Sequence, residues 1–268
     1  MNENTGTPMR APVPGVANVL AVASGKGGVG KSTTAVNLAV AMSQEGARIG
    51  LMDADIYGPN VHVMMAARER PDGNPEGQLI PMERYGVKLM SLGMIAEEGV
   101  PVIWRGPLLS KMVTQFLMDV AWAPLDVLLV DLPPGTGDVQ LTLTQSAPLS
   151  GAVIVTTPQA LVLEDVRRGV EMFRTVDVPV LGVVENMSTY TCRKCGTQTD
   201  VFGQGGGMET AERYGVPYLG GLPLDLEVRS GGDSGAPVAA ARPESEIAEI
   251  YRNVARQLLA GMEVAAEA

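Results

Sequence analysis

A glycine-rich stretch near the amino terminus, ASGKGGVGKST (23–33), has the residue types that bind phosphate groups. From Gly25 to Ser32 it fits the pattern G-x-x-x-x-G-K-[ST], in which glycines let backbone N–H groups converge on phosphate oxygens. Lys31 is expected to neutralise the β- and γ-phosphates of a nucleotide during catalysis, and the Ser32 hydroxyl to coordinate Mg²⁺. The predicted phosphate-binding residues are Gly25, Lys26, Gly27, Gly28, Val29, Gly30, Lys31, Ser32 and Thr33.

Carboxylates follow two apolar segments, where they are expected to complete a Mg²⁺ site beside this loop. Asp53 and Asp55, in LMDADIYGP, lie at the end of a predicted strand, and in an open parallel sheet ligands bind at that edge. Asp53 is a predicted metal ligand, and the alternative interpretation is a strand-end cap. Asp131 ends the apolar run DVLLVDL and is predicted to bind the water shell of Mg²⁺. The loop PPGTG (133–137) that follows is predicted to switch when the γ-phosphate is released.

Cys192 and Cys195, in YTCRKCG, are the only two cysteines among 268 residues. A lone Cys-x-x-Cys is compatible with a redox dithiol, half of a zinc site or half of an iron–sulfur site. A redox dithiol normally starts a helix after a strand, whereas this stretch is typical of a loop or a small hairpin. A four-ligand site needs a second pair of ligands, which a two-fold dimer would supply. Four thiolates suit either a bridging 4Fe–4S cluster or a zinc ion.

The elements that must position these residues are short apolar runs that alternate with helical stretches. Six runs rich in Val, Ile and Leu lack polar alternation, which is typical of parallel strands buried on both faces. They are residues 18–24, 47–53, 87–92, 126–132, 151–157 and 178–187. Helices are predicted for 31–46, 163–176 and 245–259. This alternation predicts an α/β fold with a mostly parallel sheet flanked by helices on both faces, and the phosphate loop makes it a P-loop NTPase.

The chain is predicted to form one ATPase domain over residues 17–262, with the cysteine loop at 188–203. The polar, proline-rich residues 1–16 are predicted to be a disordered tail, and residues 263–268 are predicted to fray. Several Pro and Gly residues within 68–86 are typical of a surface excursion.

The formal net charge is −10, which argues against a sequence-independent nucleic-acid binder because such proteins need a basic face. No apolar run reaches the length of a membrane span, and the first residues lack the apolar stretch of a signal peptide. We therefore expect a cytoplasmic protein that binds neither nucleic acid nor membrane, and whose two thiols stay reduced.

Nine motifs occur in a fixed order along the chain: SGKGGVGKST, MDADIYGPN, VIWRGP, VDLPPGTGDVQLTL, VIVTTPQ, VENMS, CRKCG, FGQGGG and GLPLD. In these motifs the chain resembles the Mrp/ApbC family of iron–sulfur cluster carrier ATPases, which are relatives of the MinD/ParA and nitrogenase iron-protein ATPases. The resemblance covers about residues 17–260. The two-lysine phosphate loop is a deviant Walker A motif, and by itself it indicates only the wider superfamily. DLPPGTGD together with Cys-x-x-Cys-Gly is specific to the carrier branch.

The resemblance implies roles for single residues. Lys26 is expected to reach across a dimer interface to the nucleotide of the other subunit and to stabilise charge on the transferring phosphoryl group. Asp55 is expected to orient the attacking water. Asn186 is expected to bind the adenine, and Pro223 to form the other wall of the base pocket.

The resemblance also implies a slow Mg²⁺-dependent ATPase that acts as a homodimer. It selects the labile 4Fe–4S cluster as the ligand of Cys192 and Cys195, to be transferred to apo-proteins, with cluster scaffold proteins as further candidate partners. One departure is that family members commonly carry Pro and an aromatic, His or Asn residue beside the cysteines, where this chain has Arg193 and Lys194. Two cations are expected to favour thiolates and an anionic cluster.

Besides a non-enzymatic nucleotide sensor, two rival functions remain at this point. One is a positioning ATPase of the MinD or ParA type, but the MinD type needs a basic amphipathic C-terminal anchor, and this chain ends in the acidic EVAAEA. The other is an ATPase with a structural zinc clip, which the same cysteines could form.

Overall fold

The computed structural model of the protein describes residues 11–95 and 106–267. Residues 1–10 of the predicted tail, most of the VIWRGP motif and Ala268 lie outside this part of the chain. A mostly parallel sheet of eight strands forms the centre of the described structure, in the order β10-β7-β6-β1-β5-β2-β4-β3. Only β3 is antiparallel to its neighbour, and β8 and β9 pair separately as a small hairpin.

The strands are β1 (Val16–Ala23), β2 (Ile49–Asp53), β3 (Met82–Arg84), β4 (Val87–Ser91), β5 (Leu125–Asp131), β6 (Gly151–Thr156), β7 (Val180–Asn186), β8 (Tyr190–Thr191), β9 (Gln198–Thr199) and β10 (Tyr218–Leu222). The helices are α1 (Lys31–Gln44), α2 (Val61–Met64), α3 (Gly106–Met118), α4 (Asp138–Ser146), α5 (Ala160–Thr175), α6 (Gly206–Tyr214), α7 (Leu226–Ser234), α8 (Val238–Ala241) and α9 (Glu246–Glu267). None of these helices is both long and apolar enough to cross a bilayer, within the residues that the structure describes.

Helices cover both faces of the sheet, as the sequence predicts. Successive side chains of a strand point to opposite faces. In β1, Leu20 and Val22 therefore join a core with Tyr251 of α9 and residues of α1, whereas Ala21 joins a second core with Phe173 of α5. Burial on both sides explains why β1 is apolar throughout its buried part rather than alternating.

All six predicted strands are present, and the structure adds two to the sheet. β3 falls within residues 68–86, so the prediction of a plain surface excursion there is corrected: these residues include the antiparallel edge strand. β10 was not predicted because its sequence, YLGGL, contains two glycines that weaken the strand pattern.

The structure describes part of each segment that the sequence places at the ends of the domain. Val13 is buried and packs in the core with α3 and α5, so the described end of the predicted tail contributes to the fold. At the other end, α9 continues to Glu267 through the segment predicted to fray, since Val, Ala and Glu allow the helix to propagate. Fraying itself stays a prediction.

Candidate functional site

The phosphate loop joins β1 to α1 at the carboxyl edge of the sheet. Gly30 precedes α1 with φ +82°, and a Cβ at this position would collide with the amide of Asn186. Glycine is needed here for both reasons, since other residues rarely adopt this backbone conformation. The amino terminus of α1 follows directly, so its free N–H groups and the positive end of its dipole face the site.

Lys31 and Asp131 form a buried ion pair at the centre of the site. Lys31 Nζ donates to Asp131 Oδ1 at 2.6 Å and to Ser32 Oγ at 3.2 Å. Burial raises the pKa of Asp131, and the charge of Lys31 opposes this shift. The structure therefore brings together the predicted phosphate-binding lysine and the predicted metal-site carboxylate and hydroxyl, from β5 and α1.

Asp131 has one oxygen without a partner. Its Oδ2 is buried and accepts no hydrogen bond from the part of the chain that the structure describes. A buried carboxylate oxygen is costly to leave unsatisfied, and it is a ligand that Mg²⁺ or a Mg²⁺-bound water prefers. Asp131 and Ser32 thus fit a Mg²⁺ ion, which would neutralise phosphate charge when bound with a nucleotide.

Asp53 lies beside Asp131 in the register of β2 and β5, but its surroundings differ. Its Oδ2 accepts hydrogen bonds from Ser91 Oγ at 2.8 Å and from the Val61 backbone at 3.2 Å, and its Oδ1 accepts one from the Asp55 backbone at 3.1 Å. Burial and the neighbouring carboxylate of Asp131 raise the pKa of Asp53 to about 7. Because both oxygens already have donors, Asp53 is better placed to orient the Asp55 loop than to bind the ion directly.

The sequence did not identify the residues behind Asp53. Ser91 ends β4, next to β2, and its hydroxyl also lies 3.3 Å from His62 Nδ1. His62 is half-buried, and burial lowers its pKa. The signal that could have found Ser91 is a polar residue at the end of an apolar strand, which is the pattern that identified Asp53.

Lys26 and Asp55 face a common cavity of about 250 Å³ above the phosphate loop. Its wall also includes Gly28, Ser32 and Pro134 of the predicted switch loop. No ion pair involves Lys26 within the described residues, so its ammonium group is free to meet a ligand or a second subunit. The cavity therefore brings together residues of the phosphate loop, Asp55 and the predicted switch loop.

The predicted switch loop is attached to the phosphate loop. The Gly135 backbone donates to the Ser24 carbonyl at 2.8 Å, and Gly135 has φ +105°. The Ser24 hydroxyl in turn donates to the Lys26 carbonyl at 3.0 Å. The phosphate loop and the predicted switch loop are therefore joined by a direct backbone hydrogen bond.

Asn186, one of the two predicted base-binding residues, ends β7, and Pro223, the other, directly follows β10, the neighbouring strand. Asn186 pairs in register with Leu222, and its Nδ2 donates to the Val29 carbonyl of the phosphate loop at 2.8 Å. Pro223 lines a separate cavity of about 350 Å³ with Thr189 and other residues. Asn186 therefore supports the phosphate loop in this state.

Cys192 and Cys195 lie in the turn of the β8–β9 hairpin. The Cys192 backbone donates to the Thr197 carbonyl at 2.9 Å, and the Gly196 backbone, with φ +72°, donates to the Cys192 carbonyl at 2.8 Å. Cys192 is partly exposed and Cys195 is exposed. This loop does not start a helix, which removes the thioredoxin-like interpretation.

The environment of the thiols differs from the one the sequence predicts. The Cys195 thiol lies 3.3 Å from Thr197 Oγ1, and hydrogen bonding with the Thr197 side chain and backbone lowers the pKa of Cys195. Arg193 instead turns to Asp225 and Glu227, at 3.0 and 3.3 Å. Thr197, two positions beyond the second cysteine, is the residue that sequence reasoning missed.

One chain does not complete a metal site at this hairpin. Across residues 11–95 and 106–267, no group of three or more His, Cys, Asp or Glu side chains lies close enough to hold a metal ion. The two cysteines of the hairpin thus remain a half-site.

Comparison with known proteins places these features in a family. A family model described as NUBPL iron-transfer P-loop NTPase, of the ParA group, matches residues 15–259. An iron–sulfur cluster carrier protein from Pseudomonas fragi is 52% identical over 251 residues, which are 92% of this chain and 88% of the relative.

Solved structures agree with the fold. A nucleotide-binding protein from Archaeoglobus fulgidus, in complex with ADP, has a TM-score of 0.77 and 36% identity, covering 88% of this chain and 92% of that chain. The cell division ATPase MinD from Pyrococcus furiosus has a TM-score of 0.69, covering 90% and 98% of the two chains, but at 20% identity it supports the fold alone. The predicted P-loop NTPase fold and the predicted resemblance are confirmed. The chain belongs to the family of NUBPL iron-transfer P-loop NTPases.

Proposed function

We propose that this protein is a homodimeric, Mg²⁺-dependent ATPase that holds a labile 4Fe–4S cluster between its subunits and transfers it to apo-proteins. The observation that carries the proposal is the hairpin turn that presents Cys192 and Cys195 at the surface of an iron-transfer NTPase fold. The cluster is the cargo of this protein rather than a resident cofactor, which suits an accessible site.

The number of thiols supports a site shared between subunits. A 4Fe–4S cluster is normally held by four thiolates, and one hairpin supplies two. A two-fold axis that brings two hairpins together supplies four without any further residue. A zinc ion would accept the same four thiolates, so zinc is the competing outcome of the experiment below.

In the proposed mechanism each predicted residue of the nucleotide site has a task. Lys31 binds the β- and γ-phosphates, Ser32 and Asp131 hold Mg²⁺, and Asp55 orients the attacking water. The Lys26 side chain reaches the nucleotide of the partner subunit and stabilises the charge that develops on the transferring phosphoryl group. Support for these roles comes from the ion pair at Lys31, the unpartnered oxygen of Asp131 and the shared cavity of Lys26 and Asp55.

The base site and the partners complete the proposal. Asn186 releases Val29 to bind the adenine, and Pro223 forms the opposite wall. Apo iron–sulfur proteins receive the cluster, and scaffold proteins supply it, in the cytoplasm, where thiols stay reduced. The net charge of −10 makes nucleic acid an unsuitable partner, and no membrane association is proposed.

The positioning-ATPase alternative is not favoured. The MinD likeness extends to the fold, while the cysteine hairpin has no task in that function.

Anaerobic reconstitution with iron and sulfide, followed by an absorption spectrum, tests the proposal. The wild type should gain the broad charge-transfer absorption of a 4Fe–4S cluster, and Cys192→Ala and Cys195→Ala should each lose it while keeping ATP hydrolysis. A parallel incubation with zinc alone provides the control. Tight zinc binding combined with failure to take up iron would replace the carrier by an ATPase with a structural zinc clip.

A further inference from the structure

The cysteine hairpin is connected to the segment that carries Pro223. The Leu224 backbone donates to the Thr189 carbonyl at 2.7 Å, and the Ser188 backbone donates to the Leu222 carbonyl at 2.9 Å. These bonds join the base of the hairpin to the residues on either side of Pro223. The hairpin and the proposed adenine wall therefore share one local framework.

A second connection reaches the turn of the hairpin through a side chain. The Arg193 guanidinium, which stands between the two cysteines, lies 3.0 Å from Asp225 Oδ1 and 3.3 Å from Glu227 Oε1. Asp225 Oδ1 also accepts the Glu227 backbone N–H at 2.6 Å as the N-cap of α7. Arg242 pairs with Glu227 at 2.7 Å, so two arginines and two carboxylates form a charge network.

The network lies two residues from the proposed adenine wall. Asp225 and Pro223 line the cavity of about 350 Å³, and so do Thr191 and Gln198 of the hairpin strands. A ligand that contacts Pro223 in this cavity would also lie next to Asp225, which forms an ion pair with Arg193. A short physical path therefore runs from the base site to the residue between the thiols.

Lys194 provides an internal comparison. It carries the same charge as its neighbour and stands between the same cysteines, but no hydrogen bond or ion pair joins it to any of the described residues. A general effect of positive charge on the thiols would involve both residues, whereas a contact with the base segment involves Arg193 alone.

We propose that Arg193 is a positioning residue that couples occupancy of the nucleotide site to the order of the cysteine hairpin. The proposal rests on the proposed function, since it assumes that the adenine binds beside Pro223. When nucleotide orders the Pro223 segment, Arg193 holds the hairpin turn in its ligand-binding shape. By linkage, a ligand on the thiols raises nucleotide affinity by the same factor as nucleotide raises affinity for that ligand.

The size of the coupling is bounded by the ion pairs. Arg193 is half exposed, and exposed pairs contribute up to about 1 kcal/mol, which is about fivefold in an equilibrium constant. The nucleotide effect that passes through Arg193 is therefore expected to be between about twofold and fivefold.

Hydrogen exchange of the apo-protein, with and without Mg²⁺-ADP, tests the coupling without any cluster. The amides to follow are those of Cys192 and Gly196, whose hydrogen bonds hold the turn. Saturating nucleotide should slow their exchange up to about fivefold in the wild type and in the control Lys194→Gln. Arg193→Gln should lose this protection, and Arg193→Lys should restore part of it because it keeps the charge but not the forked geometry.

Additional measurements separate the possible causes. ADP affinity is measured for each variant, so that lost protection cannot reflect an empty site. Arg193→Gln combined with Glu227→Gln should lose no more protection than Arg193→Gln alone, as expected for partners in one interaction. Equal nucleotide protection in Arg193→Gln and wild type, or none in wild type, would overturn the coupling. Failure of the proposed function shows separately, as absence of iron and sulfide uptake by the wild type.

Discussion

Lys31→Ala tests two roles of Lys31. One is to bind phosphate, and the other is to offset the cost of burying the charged Asp131 carboxylate. Asp131 is fully buried, Lys31 is 6% exposed, and their side chains meet at 2.6 Å. Removing Lys31 leaves the buried carboxylate without its ion-pair partner at Oδ1, and Oδ2 already has no hydrogen-bond partner among the described residues. Breaking a buried pair from one side costs about 3–5 kcal/mol. For a domain of this size, with a shift of about 2–4 °C per kcal/mol, the nucleotide-free melting temperature should fall by roughly 6–20 °C.

The double variant Lys31→Ala/Asp131→Asn separates the two roles. It removes the buried charge, so it should recover most of the lost melting temperature, yet it should bind a fluorescent ATP analogue no better than Lys31→Ala. Lys26→Ala is the matched control, because it removes a lysine of the same loop that has no ion pair, and its melting temperature should stay within about 2 °C of wild type. A Lys31→Ala protein that melts like wild type, or that keeps its ATP affinity, would refute the reasoning.

Three further predictions concern the same site. Lys26→Ala should bind ATP with near wild-type affinity but lose hydrolysis, and an equal loss of affinity in Lys26→Ala and Lys31→Ala would exclude a role in trans. Asp55→Asn should bind Mg²⁺-ATP and hydrolyse it slowly, so wild-type turnover would remove Asp55 from the mechanism. The pKa of Asp53 is raised to about 7 in the fold, so between about pH 4 and pH 7 Asp53 is protonated in the folded protein and ionised in the unfolded chain. The free energy of unfolding, measured by urea titration, should therefore fall as the pH rises from about 4 to about 7. Asp53→Asn should make this pH dependence smaller.

The sequence predicts those features of the protein that depend on residues close together in the chain. Six strands are continuous apolar runs because both faces are covered, and that property is visible in each segment by itself. The phosphate loop is a single contiguous motif, and Asp131 is recognisable because it ends an apolar strand.

Contacts between distant segments could not be predicted in the same way. The hydrogen bond from Ser91 to Asp53 depends on the register of β2 against β4, which the sequence does not specify. Arg193 contacts Asp225, which lies 32 positions further along the chain. Its guanidinium group therefore pairs with this carboxylate rather than with the neighbouring thiols. β10 was missed because two glycines interrupt its apolar pattern, although it pairs with β7, which ends at Asn186.

The most direct test of the central claim, that two hairpins form one cluster site, is native mass spectrometry of the protein after anaerobic reconstitution. The wild type should appear as a dimer carrying the mass of a single 4Fe–4S cluster, with about four irons per dimer. Cys192→Ala and Cys195→Ala should appear without this added mass, because each substitution removes two of the four thiolates by symmetry. A cluster bound to a monomer, a full cluster in either variant, or a wild-type dimer that carries zinc and no iron would contradict the account.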